Sequence, residues 1–219
     1  MEVREIGMQD FAVARRVMVD SQLRPEGVID AGVINAMASV PREEFVPAAA
    51  QAVAYGDRPI ALGNGRAMPS PAVTGRWLSA LAPRRGEKAL IVGSGGGYSA
   101  ALLEALGLEV TALESDASPS VSAAPQVGSI KAVAGDLAAG HRAGAPYDII
   151  LIDGAVDRVP DAIAGQLIEG GRLATAINDR GVSRLVIGRN VGGRVAFQTI
   201  VDADVAPLPG FASPAAFVF

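Results

Sequence analysis

Five residues, Gly93-Ser94-Gly95-Gly96-Gly97, follow directly on the apolar run Lys88-Ala-Leu-Ile-Val92 and precede the helical pattern YSAALLEAL. Glycines let a backbone come close to a ligand, and a helix starting there points its free N–H groups at the same spot. Glu114 ends the next apolar run, roughly 20 residues past the loop, where a carboxylate can accept hydrogen bonds from ribose hydroxyls. A third segment, Ala134-Gly135-Asp136-Leu137, sets an acid where it can receive an adenine amino group. Each feature alone is a weak signal, since a glycine turn is often only a tight turn. In chain order and at these spacings they outline a nucleoside pocket made by Gly93, Ser94, Gly95, Gly97, Glu114, Gly135, Asp136 and Leu137.

The register of the glycines bears on which nucleoside enters. A dinucleotide fingerprint counted from the strand end needs a third glycine at position 98, which is Tyr98. Counting from Gly95 gives G-x-G-x-x-A, but that pattern starts two residues past the strand. The G-x-G-x-G register fits better and is the one associated with S-adenosylmethionine. Glu114 does not choose, because nicotinamide and methionine-type nucleosides both carry a ribose.

Other residues have two readings each. Ser70 offers a hydroxyl to a substrate carboxylate, or simply caps a helix whose first position is Pro71. Asp153, ending the apolar run Tyr147 to Ile152, and Asn178-Asp179 together offer oxygen ligands to a divalent cation. As strand-end and turn residues they are expected instead to be solvated, with no metal bound. The single histidine, His141, sits in a Gly- and Ala-flanked loop and is expected to be exposed and without a catalytic role. Trp77 belongs to an apolar stripe and reads as core. Arg66 either pairs with an anionic substrate or is an ordinary loop arginine.

The elements that must position these groups fall into two regimes. Residues 1 to about 70 read as a helical extension, with Asp30 as an N-cap and the prolines of PREEFVP marking a break. The segment GDRPIALGNGRAMPSP reads as a loop. From residue 71 strands and helices alternate: strands at 88–92, 109–113, 130–134, 147–152 and 172–177, a helix near 160–168, and a final pair near 183–188 and 194–199. Apolar strands separated by helices imply a parallel sheet covered on both faces, hence an α/β, doubly wound, Rossmann-like core of about seven strands in a single domain.

Composition narrows the function. With 219 residues, half of them hydrophobic, the chain can bury a sizeable core. It has no cysteine, which excludes a disulfide framework, a thiolate zinc site and a catalytic thiol. Nineteen basic against 23 acidic side chains give a net charge of −4, so no basic field for nucleic acid is visible. Neither a signal-peptide core nor a bilayer-length apolar stretch is present, and a cytoplasmic protein without membrane contacts is expected.

Over most of its length the chain resembles the protein-L-isoaspartate O-methyltransferase family. The segments that carry the likeness are MVDSQLRPEGVIDAGVINAMASVPREEFVP, AYGDRPIALGNG, ALIVGSGGGYSAALLEALG, GD at 135–136, PYDIILIDGA and VPDAIAGQLIEGGRL. The resemblance implies an S-adenosylmethionine-dependent enzyme that methylates the abnormal carboxylate of isoaspartyl residues in damaged proteins or peptides. It also implies a cofactor pocket using Gly93, Ser94, Gly95, Glu114 and Asp136. A carboxylate acceptor is already ionised near neutral pH, so the transfer needs no general base.

Three departures from the family pattern cluster at the site. Where the family reads G-x-G-Q-T-I-S-x-P, this chain has Gly63-Asn-Gly-Arg-Ala-Met-Pro-Ser-Pro71, with Ala67 and Pro69 in place of hydroxyl residues. The family acid at the first strand's exit is Ile91 here, and the charged helix beside the adenine is replaced by SDASPSVSAAPQVGS. These changes keep a second reading open, in which the fold persists as a binding or assembly module.

Overall fold

The computed structural model describes residues 10–115, 130–179 and 181–212. Apolar runs become the strands of one seven-stranded sheet: β3 (Lys88–Val92), β4 (Glu109–Glu114), β5 (Lys131–Ala134), β6 (Tyr147–Val156), β7 (Leu167–Asp179), β8 (Val182–Val191) and β9 (Arg194–Asp202). Their order across the sheet is β5-β4-β3-β6-β7-β8-β9. Pairings from β5 to β7 are parallel, while β7–β8 and β8–β9 are antiparallel. The chain builds β4 and β5 on one side of β3, then crosses back to place β6 on the other. That reversal opens a crevice at the carboxyl ends of β3 and β6, where ligands of doubly wound sheets bind.

Local sequence explains the helices. Asp10 caps α1 (Phe11–Met18) through the amides of Ala12 and Val13, and Asp30 caps α2 (Ala31–Ser39) through Val33. Ser70 and Pro71 begin α3 (Pro71–Leu81). Gly97, at φ +86°, turns the chain into α4 (Tyr98–Ala105). One face of the sheet packs Ile91 and Leu151 against Trp77, Leu78 and Leu102 from these helices. The other face packs Leu90, Val92 and Ile150 with Leu208 and Phe211 from the carboxyl end. The indole N–H of Trp77 donates to the carbonyl of Thr175 at 2.9 Å, so its one polar atom is satisfied in the core.

Several boundaries differ from the sequence reading. The expected loop at 56–71 contains a hairpin, β1 (Ile60–Gly63) and β2 (Arg66–Met68), that forms its own two-stranded sheet. The helix expected near 160–168 shrinks to Asp161–Ala164, because Gly165 ends it and Leu167 already belongs to β7. The last three strands run longer than their apolar centres. Residues 116–129, which the family resemblance sets beside an adenine, lie outside the described residues. Among the described residues no helix is long and apolar enough to cross a membrane.

Candidate functional site

The glycine loop leaves β3 at the crevice, and its conformation requires glycine. Gly93 and Gly95 have φ of +77° and +57°, a region that side-chain-bearing residues rarely adopt. A Cβ on Gly96 would fall on the carbonyl oxygen of Phe45. The loop thus passes tightly under the segment PREEFVP, with the amides of Gly93 and Gly97 donating to the carbonyls of Leu113 (2.9 Å) and Ser94 (3.1 Å).

Glu114, only 3% exposed, closes β4 beside this loop. Its Oε2 accepts the Gly95 amide at 2.9 Å and its Oε1 accepts the Ser115 amide at 3.0 Å. Arg66 from β2 reaches across, pairing with Oε1 of Glu114 and donating to the carbonyl of Gly93. Arg66 is therefore not a plain loop arginine, since it lies inside the crevice and is paired with a buried acid.

A second group of polar side chains lines the crevice floor. Asp153 ends up 6% exposed rather than solvated, which corrects the sequence expectation: β6 continues four residues past Ile152 and keeps the carboxylate inside. Burial pushes its carboxyl up to about 6, against the opposing pull of Ser99, Arg66 and Arg42. Arg42 is fully buried, with Nε and Nη2 donating to the carbonyls of Ala54 (2.7 Å) and Pro69 (2.5 Å). Its guanidinium stacks over the Tyr98 ring, 4.9 Å from the centroid. Among the described residues, the buried Ser94 Oγ and Asp153 Oδ1 have no hydrogen-bond partner. Orphaned donors and acceptors beside a glycine cradle fit a ligand carrying both a cationic and an anionic group, such as the amino-acid end of S-adenosylmethionine.

The remaining predicted residues fall into place unevenly. Gly135 donates its amide to the Glu114 carbonyl at 2.9 Å, which sets the third segment beside the second. Asp136 is exposed and caps a short turn through the Ala138 amide at 3.0 Å, while Leu137 is buried behind it. Ser70 caps α3 and lines a separate cavity of about 260 Å³ with Glu26, Asp57, Arg58, Arg76 and Asp204. None of these belongs to the glycine loop. Asp179 pairs with Arg184 at 3.0 Å, and among the described residues no group of three or more acids or histidines could hold a metal. His141 is half-buried rather than exposed, because Tyr147 and Gln166 fold its loop back onto the chain.

Two contributors escaped sequence reasoning. Arg42 carried a signal in its setting between two prolines, but nothing marked it as buried. Leu208 had none: the carboxyl segment runs past β6, Leu208 donating its amide to Ala155 at 2.7 Å, and lays its side chain over Gly93 and Gly154.

Comparison with known proteins gives a consistent result. A family model described as Protein-L-isoaspartate(D-aspartate) O-methyltransferase (PCMT) matches residues 15–204. The chain is 37% identical over 205 residues to the Protein-L-isoaspartate O-methyltransferase of Koribacter versatilis (strain Ellin345), covering 91% of this chain and 92% of that one. It is 38% identical over 181 residues to the protein of the same name from Methylorubrum extorquens (strain PA1), covering 81% and 79%. Among solved structures, a protein-L-isoaspartate O-methyltransferase superposes with a TM-score of 0.79 at 22% identity, over 90% of this chain and 67% of that one. A beta-aspartate methyltransferase from Plasmodium falciparum, in complex with S-adenosyl-L-homocysteine, gives 0.76 at 19% identity, over 90% and 98%. At these identities the structural likeness establishes the fold.

Proposed function

Since the chain belongs to the protein-L-isoaspartate(D-aspartate) O-methyltransferase family, we propose that it transfers a methyl group from S-adenosylmethionine to the free α-carboxylate of isoaspartyl residues in damaged proteins or peptides. The observation that carries this reading is the glycine cradle joined to Glu114, set at the switch point of the sheet.

Bound there, S-adenosylmethionine supplies an electrophilic methyl group. Gly93, Ser94, Gly95 and Gly97 would hold its amino-acid end and the approach to the ribose, with Asp153 as an added acid on the crevice floor. Glu114 would accept the ribose hydroxyls, and Gly135, Asp136 and Leu137 would flank the adenine. The acceptor carboxylate is ionised at neutral pH and needs no base, so the protein's share of the rate lies in alignment and exclusion of water.

The test uses two peptides identical except for one isoaspartyl or aspartyl linkage, with methyl-labelled S-adenosylmethionine. Base-labile label is expected on the isoaspartyl peptide and not on its aspartyl twin. Label on neither peptide, or on both equally, would overturn the reading.

A further inference from the structure

Arg66 occupies the space that the glycine cradle leaves open. Its Nη2 stands 2.9 Å from where a Cβ of Gly93 would be, and Leu208 stands 2.8 Å from the same point. Leu62, from the other strand of the hairpin, stands 2.8 Å from the corresponding point on Gly95. The protein's own side chains therefore fill the cradle. Glu114 already accepts three hydrogen bonds: Oε2 from Gly95, and Oε1 from Ser115 and Arg66. Ribose hydroxyls would need the lone pairs that now face the guanidinium.

We propose that Arg66 is exchanged between two carboxylates: it guards Glu114 until the methyl donor displaces it, and then receives the carboxylate of the acceptor. This rests on the donor and acceptor classes given above. The exchange is mechanically cheap, because the hairpin that carries Arg66 shares no strand pairing with the seven-stranded sheet. Charge drives the second half. Ribose hydroxyls replace the guanidinium at Glu114 without neutralising it, so Arg66 loses its ion pair in a half-buried position and keeps only the Gly93 carbonyl and the more distant Asp153, which is costly. An acceptor carboxylate ends that cost, and the planar guanidinium presents two parallel N–H groups to it. Arg42 cannot take this role, being fully buried and tied to the carbonyls of Ala54 and Pro69. Donor first, acceptor second, is the order this geometry imposes.

The test pairs calorimetric titration with S-adenosylhomocysteine and steady-state kinetics on the isoaspartyl peptide, for wild type, Arg66→Ala, Arg66→Gln and Arg66→Lys, each checked by thermal melt. Arg66→Ala and Arg66→Gln should bind S-adenosylhomocysteine about tenfold more tightly, and their peptide KM should rise about tenfold, a larger effect than on kcat. Arg66→Lys should recover part of the KM. An S-adenosylhomocysteine affinity that is unchanged or weaker in folded Arg66→Ala and Arg66→Gln overturns the guard role, and an unchanged KM overturns the acceptor role. If no variant binds S-adenosylhomocysteine, the methyl-donor reading itself falls, and the exchange with it.

Discussion

The amide nitrogen of Gly95 lies 2.9 Å from Oε2 of Glu114, so the glycine loop after β3 and the end of β4 are joined before any ligand arrives. One oxygen of the acid fixes the loop, while the other accepts from the Ser115 amide and from Arg66, which reaches in from the crevice. The carboxylate is thereby held in the orientation that a pair of vicinal hydroxyls needs.

Glu114→Ala should weaken S-adenosylhomocysteine binding by about 1–3 kcal/mol, the scale of a lost hydrogen bond to a charged group. Because Arg66 acts on the ligand through this acid, the two positions should not be additive. Arg66→Ala introduced into the Glu114→Ala background should bring no further tightening. Calorimetry on the four proteins of the cycle reads both effects, and full additivity would mean that Arg66 does not compete at Glu114.

Asp153 gives a pH-dependent stability with a definite sign. It lies two residues beyond Leu151, the residue paired with Ile91, so an acid stands close to the strand exit that Ile91 leaves apolar. Its folded value of about 6 exceeds the unfolded value of 3.8, so between these limits the native state holds a proton that the unfolded chain releases. Stability contributed at this position therefore falls as pH rises through that window. Asp153→Asn should match wild type near pH 4 and exceed it by about 2 kcal/mol at pH 7, read from denaturant melts. A difference independent of pH would show that burial does not control this carboxyl.

Gly96→Ala should destabilise the fold by about 1–3 kcal/mol, since its Cβ would fall on backbone at Phe45 rather than on a side chain that can rotate away. A thermal melt checks this, and an unshifted midpoint would mean that the Phe45 segment yields freely.

Much of this architecture was legible in the sequence. The runs ALIV and IILI are buried on both sheet faces, which removes the polar alternation and marks parallel strands. Caps at Asp30 and Ser70 showed where helices begin. The hairpin at 60–68 was not legible, because among its strand residues only Ile60 and Met68 are buried and Gly63-Asn64-Gly65 looks like any loop. Glu169-Gly-Gly-Arg172 likewise hid the first half of β7 behind polar and flexible residues. In the site, the glycines and Glu114 could be read locally. The burial of Asp153, the reach of Arg66 and the cover from Leu208 depend on contacts between distant segments, for which no local pattern exists.

The separateness of the β1–β2 hairpin has a consequence for how this protein responds to selection. Local opening of a small unit with its own hydrogen bonds draws on its own free energy, not on that of the whole fold. The amides of β1 and β2 can then exchange with solvent while those of β3 and β6 stay protected. Substitutions that tighten the seven-stranded sheet would raise the melting temperature without stiffening the arm that bears Arg66. Thermal robustness and access to the crevice therefore meet at few residues, chiefly Ile60 and Met68, which anchor the hairpin in the common core.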